Sequence, residues 1–178
     1  MGEDQIQEIN EGYGEEDAQK DMYMTFKTGN EYFGISISNV NEIIGMQPIT
    51  AVPETEAYIR GLINLRGKII PVIDVRMRFK QEPLPYTDRT CIIVIDVKNT
   101  VVGLIVEKID EVIKIDKSRV IPPPSLSQSL DASNRYVCGL AKADDGVKLL
   151  LDPERLIRDE DIAAFNEMEG MDNESEEG

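Results

Sequence analysis

The stretch Gly61-Leu62-Ile63-Asn64-Leu65-Arg66-Gly67-Lys68-Ile69-Ile70-Pro71-Val72-Ile73-Asp74 decides the fold of this chain. Two apolar runs flank Arg66-Gly67, and glycine readily adopts the positive φ of a tight hairpin turn, so the pattern predicts strand, turn, strand. Alternation places Asn64 and Arg66 on one face at the end of this hairpin, where a partner could reach them. Pro71 has no amide hydrogen to donate, which predicts an edge strand or a bulge.

The same small β unit occurs twice in the chain. Residues 23–44 align without a gap onto residues 92–113 at an offset of 69, with Gly34 on Gly103 and the apolar residues that follow them at matching positions. At an offset of 78, Gly61-Leu62 and Val72-Ile73-Asp74 recur as Gly139-Leu140 and Leu150-Leu151-Asp152. The nine extra residues fall in a loop rich in proline and serine that contains Pro122-Pro123-Pro124. We interpret the chain as an internal duplication.

Comparison of the two copies separates what the fold needs from what it does not need. Asn64 and Arg66 do not recur, because their counterparts are Lys142 and Asp144. The hairpin therefore forms without this pair, which leaves the pair free to serve a function. The alternative is that Arg66 is an ordinary solvated turn residue.

The repeat length predicts how the two copies are arranged. Each unit has roughly 65 residues, a size at which a single core is only marginally stable, so the two halves should share apolar surface. Short strands with frequent turns favour small barrels over an open sheet with long edges. We predict a mainly β protein with two small antiparallel barrels joined face to face and a groove at the joint. Ser38 or Asn39 is predicted to cap a short helical turn carrying Val40, and Asp74 and Asp152 to start short helices.

The formal net charge of −15 is concentrated at the two ends of the chain. Residues 1–20 have a net charge of −6 and residues 159–178 of −9, while residues 21–158 balance 18 acidic against 18 basic side chains. We predict two mobile acidic tails, since such a composition buries too little apolar surface to offset the ordering entropy. Solubility is the commoner role of such tails, and docking on a basic partner is the alternative. Nucleic acid is not predicted as a partner, because neither the two tails nor residues 21–158 have a net positive charge.

The sequence offers no constellation for catalysis. It contains no histidine, which removes the usual general base and most zinc ligand sets. It contains no glycine-rich phosphate-binding pattern and no apolar run long enough to cross a membrane. Its two cysteines, Cys91 and Cys138, are far apart, which agrees with a reducing compartment. We predict a cytoplasmic binding module with no catalytic residue, cofactor, metal site or membrane-inserted segment.

Two groups of residues resemble the CheW family of bacterial chemotaxis coupling proteins. The first is Ile35-Ser36-Ile37 with Val40-Asn41-Glu42-Ile43-Ile44, followed by residues 58–76 around Asn64-Leu65-Arg66-Gly67. The second is the run from Val101 to Val106 followed by Val112. The resemblance covers residues 21–158 and not the tails. It implies two SH3-like five-stranded barrels at about residues 35–90 and 91–151, with residues 21–34 and 152–158 completing the pair. The run Asp152-Pro153-Glu154 itself predicts the start of a C-terminal helix, with Leu156, Ile157, Ala163 and Phe165 on its apolar side.

The resemblance also implies a function. It is that of a non-enzymatic adaptor that joins the regulatory domain of a CheA-type histidine kinase to the cytoplasmic hairpin tips of chemoreceptors, at receptor arrays on the inner face of the membrane. Val40 and Glu42 match positions implicated in partner binding, and Asn64, Arg66 and Gly67 match the family's Asn-x-Arg-Gly motif.

An apolar groove is predicted beside these residues. Ile37 and Val40, with Val101 to Val106 across the joint, are expected to receive the receptor helix. Core packing is the alternative for Ile37 and Val40, and a local cap or turn bond is the alternative for Glu42. Two further functions stay open: an adaptor of another signalling pathway such as surface motility, and part of a coupling-plus-receiver protein. The absence of a receiver-like acidic pocket on a βα pattern argues against the fused form.

Overall fold

The computed structural model describes residues 20–123, 135–144 and 146–177, and describes the surroundings of side chains up to Glu169. Residues 1–19 of the predicted N-terminal tail lie outside the described residues, as do most of the loop rich in proline and serine and Asp145 of the second hairpin turn.

The described residues form eleven strands and three helices. The strands are β1 (Met22–Thr28), β2 (Glu31–Ser36), β3 (Val40–Gly45), β4 (Ile59–Leu65), β5 (Lys68–Asp74), β6 (Cys91–Val97), β7 (Thr100–Val106), β8 (Lys108–Lys114), β9 (Val120–Ile121), β10 (Val137–Ala143) and β11 (Gly146–Leu151). The helices are α1 (Val75–Arg78), α2 (Pro153–Leu156) and α3 (Asp159–Glu177). The prediction of a mainly β protein with short helices is confirmed.

The strands assemble into two sheets, as expected of two SH3-like barrels. The first barrel has the strand order β3-β6-β7-β5-β4, and the second barrel has the order β8-β1-β2-β11-β10-β9. The second barrel has six strands rather than five, because the two-residue β9 pairs with β10. The prediction of purely antiparallel barrels is wrong, since β5 runs parallel to β7 and β11 runs parallel to β2.

Each copy of the repeat contributes its first hairpin to the other copy's barrel. The hairpin β1–β2 lies between β8 and β11, and the hairpin β6–β7 lies between β3 and β5. The predicted barrel boundaries at about 35–90 and 91–151 are therefore wrong, because residues 22–36 belong to the second barrel and residues 91–106 to the first. Alternation within a strand reports which face is buried and says nothing about the neighbouring strand.

The two exchanged hairpins pair with their neighbouring strands in the same register. Across the parallel pairs, Val72 faces Gly103 just as Leu150 faces Gly34. Across the antiparallel pairs, Ile43 faces Ile93 just as Val112 faces Met24. Every one of these positions is related to its counterpart by the offsets of the duplication, so the exchange follows the repeat.

The hairpin formed by β4 and β5 around Arg66-Gly67, which we call the central hairpin, forms as predicted. Arg66 and Gly67 have φ angles of 52° and 86°, which is the pair of positive values typical of a type I′ turn. The prediction of an edge strand at Pro71 is wrong, since β5 lies between β4 and β7. The bulge given as the alternative lies on the neighbouring strand β4, between Ile59 and Gly61. Pro71 sits just before Val72–Asp74, the segment that pairs with β7, so its missing amide hydrogen falls outside that ladder.

Gly61 allows the start of this hairpin to pass close to the preceding loop. Its φ is 141°, and a Cβ atom built on it would lie 2.1 Å from the carbonyl oxygen of Thr50. Thr50 and Leu62 exchange two backbone hydrogen bonds of 2.8 and 2.9 Å at this point. Only glycine fits, because any side chain would collide with backbone atoms.

The helical turn predicted to carry Val40 is wrong by a few residues. A 3₁₀ turn covers Ile37–Asn39 and is capped by Ser36, and Val40 is already the first residue of β3. The β-branched side chains that follow suit a strand better than a helix. Asp74 and Asp152 cap α1 and α2 as predicted, with Asp74 Oδ1 accepting from the amide of Arg76 at 2.9 Å and Asp152 Oδ1 from that of Glu154 at 3.0 Å.

The C-terminal acidic segment is folded where the structure describes it. The prediction of a mobile tail over residues 159–178 is wrong here, because α3 covers Asp159–Glu177. Phe165 is 0% exposed and packs with Met168 into the same core as both barrels. Phe165 is one of the residues predicted for the apolar side of the C-terminal helix, and its spacing of three residues from Met168 places both side chains on one face of the helix.

A buried arginine joins the first barrel to α2 and α3. Arg78 Nε donates to the carbonyl oxygen of Leu156 at 3.0 Å, and Nη2 donates to Asp161 Oδ2 at 3.4 Å. The guanidinium carbon lies 4.4 Å from the ring centroid of Tyr58 and 4.9 Å from that of Tyr136. This arginine therefore links four separate segments of the chain.

Candidate partner-binding surface

Arg66 and Glu42 form an ion pair between the central hairpin and β3, with Arg66 Nη2 donating to Glu42 Oε1. The strands β3 and β4 are the two ends of the first barrel's sheet, so the pair joins those ends. The side chain of Arg66 is 71% exposed and that of Glu42 is 32% exposed. Exposed pairs of this kind contribute only about 0–1 kcal/mol, and the guanidinium stays accessible to a second carboxylate.

Asn64 and Gly67 hold the turn that presents Arg66. Asn64 Oδ1 accepts a hydrogen bond of 2.8 Å from the amide of Gly67. No atom lies within 4 Å of a Cβ built on Gly67, so its φ of 86°, and not crowding, is what favours glycine there. Within the Asn-x-Arg-Gly motif, Asn64 and Gly67 therefore shape the backbone, and Arg66 is the member whose side chain reaches another strand.

The predicted apolar residues fall into two groups. Ile37, Val40 and Val101 are partly buried, and Ile37 and Val40 pack against the main core. Val106 is only 2% exposed and belongs to that core, as do Val102 and Leu104. The accessible part of the predicted strip is therefore limited to its partly buried members.

The structure brings Val101 close to the turn at Arg66-Gly67, which we call the central turn. Both Gly67 and Val101 line a cavity of about 400 Å³ between the turns β4–β5 and β6–β7 and the helix α3. Asn166 and Glu169 of α3 form the far wall. The cavity does not include Ile37 or Val40, so the predicted residues do not all share one pocket.

Ile43 is a surface residue that the sequence pattern does not predict. Ile43 follows Glu42 on β3 and is among the large apolar side chains that remain exposed. Its counterpart in the second copy, Val112, is exposed as well. The duplication contains this signal, because an apolar residue that recurs at an exposed edge position is not explained by the core.

The carboxylate of Asp74, the last residue of β5, is in contact with a tyrosine side chain. Tyr86 donates a hydrogen bond of 2.9 Å to Asp74 Oδ2. Burial, together with the negative charge of Asp74, raises the pKa of Tyr86 from 10.0 to about 12. Burial and a hydrogen bond to Asp161 also raise the pKa of Tyr58.

The raised pKa values predict a loss of stability in alkali. The unfolded chain releases these phenolic protons near pH 10, whereas folded Tyr86 keeps its proton to about pH 12, so the folding free energy weakens as pH rises between those values. Urea denaturation at pH 9, 10.5 and 11.5 should show a falling midpoint. The variant Tyr86→Phe should show a shallower fall, and an unchanged slope would contradict the assignment.

Two absences apply to the part of the chain that the structure describes. Among those residues, acidic and cysteine side chains form no group of three or more that could hold a metal ion. None of the helices within the described ranges is long and apolar enough to cross a membrane.

Comparison with known proteins agrees with this architecture. A family model described as CheW-like domain matches residues 22–161. The chemotaxis protein CheW of Klebsiella aerogenes is 33% identical over 141 residues, which are 79% of this chain and 84% of that protein. The chemotaxis protein CheW of Bacillus subtilis is 40% identical over 103 residues, covering 58% and 65% of the two chains.

A solved structure is similar as well. The crystal structure of the scaffolding protein TtCheW from Thermoanaerobacter tengcongensis matches with a TM-score of 0.72 and 35% identity, over 79% of this chain and 94% of that one. The paired barrels and these matches place the chain among the non-enzymatic scaffolding proteins of chemotaxis. The chain belongs to the CheW family, and the resemblance seen in the sequence is confirmed.

Proposed function

We propose that this protein couples the cytoplasmic hairpin tips of chemoreceptors to the regulatory domain of a CheA-type histidine kinase, at receptor arrays in the cytoplasm. The observation that carries the proposal is the exposed Arg66–Glu42 pair. It occurs in the first copy only, because the counterpart of Arg66 is Asp144 and the second copy's hairpin folds without an arginine there.

The ion pair is suited to docking because it costs little to rearrange. An exposed pair contributes about 0–1 kcal/mol to stability, so a partner carboxylate can replace Glu42 without a large penalty. Arg66 can donate two parallel hydrogen bonds to such a carboxylate, which a lysine cannot do with the same geometry. Hydrogen bonds of this kind fix the orientation of the partner.

Apolar contacts next to the pair supply the rest of the surface. Val40 and Glu42 are two residues apart on β3, and Ile37 lies just before the strand. Ile43, next to Glu42 in the sequence, adds an exposed apolar side chain on the opposite face of β3. An apolar strip with polar anchors at its side is what helix-in-groove recognition needs. Val101 and Gly67 line a separate cavity beside the turn at Arg66-Gly67.

Calorimetric titration with the kinase regulatory domain from the same cell tests the proposal. Arg66→Ala should weaken binding about tenfold, equivalent to about 1.4 kcal/mol, because it removes a charge-assisted contact. Its free energy of unfolding should change by no more than about 1 kcal/mol, since the pair is exposed. Arg66→Lys should recover only part of the affinity.

The matched control is Arg89→Ala, which removes one exposed arginine from the connection between the repeats. It should leave the affinity unchanged. An equal loss of affinity in both variants would show a general charge effect, and a large loss of stability in Arg66→Ala would show a structural role. If the native protein binds neither the kinase domain nor a receptor hairpin, the proposed coupling function is wrong.

A further inference from the structure

The second barrel contains a buried polar cluster. Lys148 on β11 is 1% exposed, and its Nζ donates to Asp110 Oδ2 on β8 at 3.2 Å. The same Nζ lies 4.1 Å from the ring centroid of Tyr32 on β2. Thr25 on β1 donates to the carbonyl oxygen of Glu111 at 2.7 Å and accepts from its amide at 3.0 Å. We call Thr25, Tyr32, Asp110 and Lys148 the polar cluster.

The first barrel holds different residues at the same four positions of the repeat. The counterparts of Thr25, Tyr32, Asp110 and Lys148 are, in the same order, Val94, Val101, Asn41 and Ile70. The three apolar counterparts pack in a single core cluster of the first barrel, and Asn41 is exposed. At these four positions, therefore, the second barrel makes polar contacts and the first barrel makes apolar ones.

Each cluster is assembled from both copies of the repeat. Thr25 and Tyr32 come from the hairpin β1–β2 of the first copy, whereas Asp110 and Lys148 come from the second copy. In the first barrel the origins are reversed. The exchanged arrangement therefore puts polar side chains with polar ones and apolar side chains with apolar ones.

An unexchanged arrangement would mix the two sets. The hairpin β6–β7 would bring Val94 to the place of Thr25, so the amide and carbonyl of Glu111 would lose their hydroxyl partner. It would bring Val101 to the place of Tyr32, and the buried ammonium of Lys148 would lose its aromatic face. Both losses are costly, because buried polar groups need partners.

We propose that the polar cluster selects the hairpin that enters the second barrel and so determines the exchanged pairing of the two repeats. The backbone alone does not make this choice, since both hairpins pair in the same register. Buried polar groups are used elsewhere to specify one pairing against its competitors. The competitors here are the unexchanged fold and exchange between two molecules of this chain.

The selection also determines where Glu42 lies. The only sheet neighbour of β3 among the described residues is β6. When the polar cluster retains β1–β2 in the second barrel, β6–β7 is left to hold β3 beside the central hairpin. The inference stands on the pairing alone and does not depend on the proposed coupling function.

A disulfide reporter can read the pairing directly. Gly45 on β3 faces Cys91 on β6 in the exchanged fold, whereas the repeat offset would place Met22 opposite Gly45 in the unexchanged fold. No atom lies within 4 Å of a Cβ built on Gly45, so Gly45→Cys is tolerated. With Cys138→Ser as background, oxidised glutathione should join the introduced thiol to Cys91, and reduced glutathione is released.

The reporter protein is unfolded in urea under reducing conditions, refolded and then oxidised. Gel electrophoresis without reductant and mass spectrometry distinguish three products: an intramolecular disulfide, a covalent dimer and a chain without a protein disulfide. These report intramolecular exchange, exchange between molecules and the unexchanged fold. The otherwise native reporter should yield mainly the intramolecular product.

The main variant replaces the polar cluster by its first-barrel counterparts, through Thr25→Val, Tyr32→Val, Asp110→Asn and Lys148→Ile. The intramolecular product should fall by about half or more, with dimer or unlinked chain in its place. A second variant, Val94→Thr with Val101→Tyr, keeps the polar cluster and makes the other hairpin equally suited to the second barrel. The yield of the intramolecular product should decrease equally in this second variant, whether or not the main variant folds.

The matched control is Ile70→Val, because it weakens the core of the first barrel without touching the polar cluster. It should keep the intramolecular product. The proposal is overturned if the second variant, folded by circular dichroism, yields the intramolecular product at the native level. It is also overturned if the control loses this product as fully as the variants do.

Discussion

Arg78→Ala is expected to lower the free energy of unfolding by about 3–5 kcal/mol, because it leaves the buried carboxylate of Asp161 without its cation. Arg78 and Asp161 are both buried, and the guanidinium also donates a hydrogen bond to the carbonyl oxygen of Leu156. Removing one partner of a buried pair costs far more than the pair itself contributes, since the remaining charge is left in a poorly solvated place.

Urea denaturation followed by circular dichroism measures this effect. Arg155→Ala is the matched control, because Arg155 is an exposed arginine of α2 that pairs with Asp152 at 3.5 Å. Its substitution should cost no more than about 1 kcal/mol. A loss in Arg78→Ala as small as that of the control would show that the hydrogen bonds from Tyr58 and from the amide of Arg158 are enough to stabilise the carboxylate of Asp161, and the role of Arg78 as a link between segments would then be wrong.

Phe165→Ala is expected to cost about 3–5 kcal/mol, as for other aromatic side chains removed from a core. Phe165 is fully buried and packs with Met168 against the barrels. It also lies beyond residue 161, where the match to the family model ends. The prediction therefore tests whether the acidic C-terminal segment is part of the folded body.

Ala163→Gly separates core packing from helix formation. Ala163 is an exposed residue of the same helix, so its replacement lowers helix propensity by about 1 kcal/mol and removes no core contact. Stability is measured for both variants in the same denaturant series. Equal losses would mean that Phe165 contributes only through the helix and that α3 does not dock on the barrels.

The candidate site could be predicted in part. The motif around Arg66 was recognisable because Asn64 and Arg66 differ from their counterparts in a second copy whose hairpin folds without them. Its ion pair with Glu42 was not predictable, since the two residues are 24 positions apart and no local pattern joins them. Val106 was expected on an accessible strip and lies in the core, because alternation along β7 is lost where both of its faces are buried.

The C-terminal segment shows the limit of composition as a guide. Its carboxylates outweigh its apolar residues in any average, and the prediction of a tail followed from that average. Phe165 and Met168 dock because the barrels provide a site for them, and two side chains on one face are enough when that site is already formed. Packing of this kind depends on residues far away in the sequence.

The sequence by itself determined the local units: the hairpins and their turns, the aspartate caps of α1 and α2, and the duplication. These depend on backbone conformations and hydrogen bonds within a few residues. Only the tertiary structure decided which hairpin enters which barrel, where Glu42 meets Arg66, and how α3 docks. The reason is physical: a duplicated sequence offers the same register to either hairpin, so the choice rests on long-range contacts between side chains, such as Lys148 with Asp110 and Tyr32.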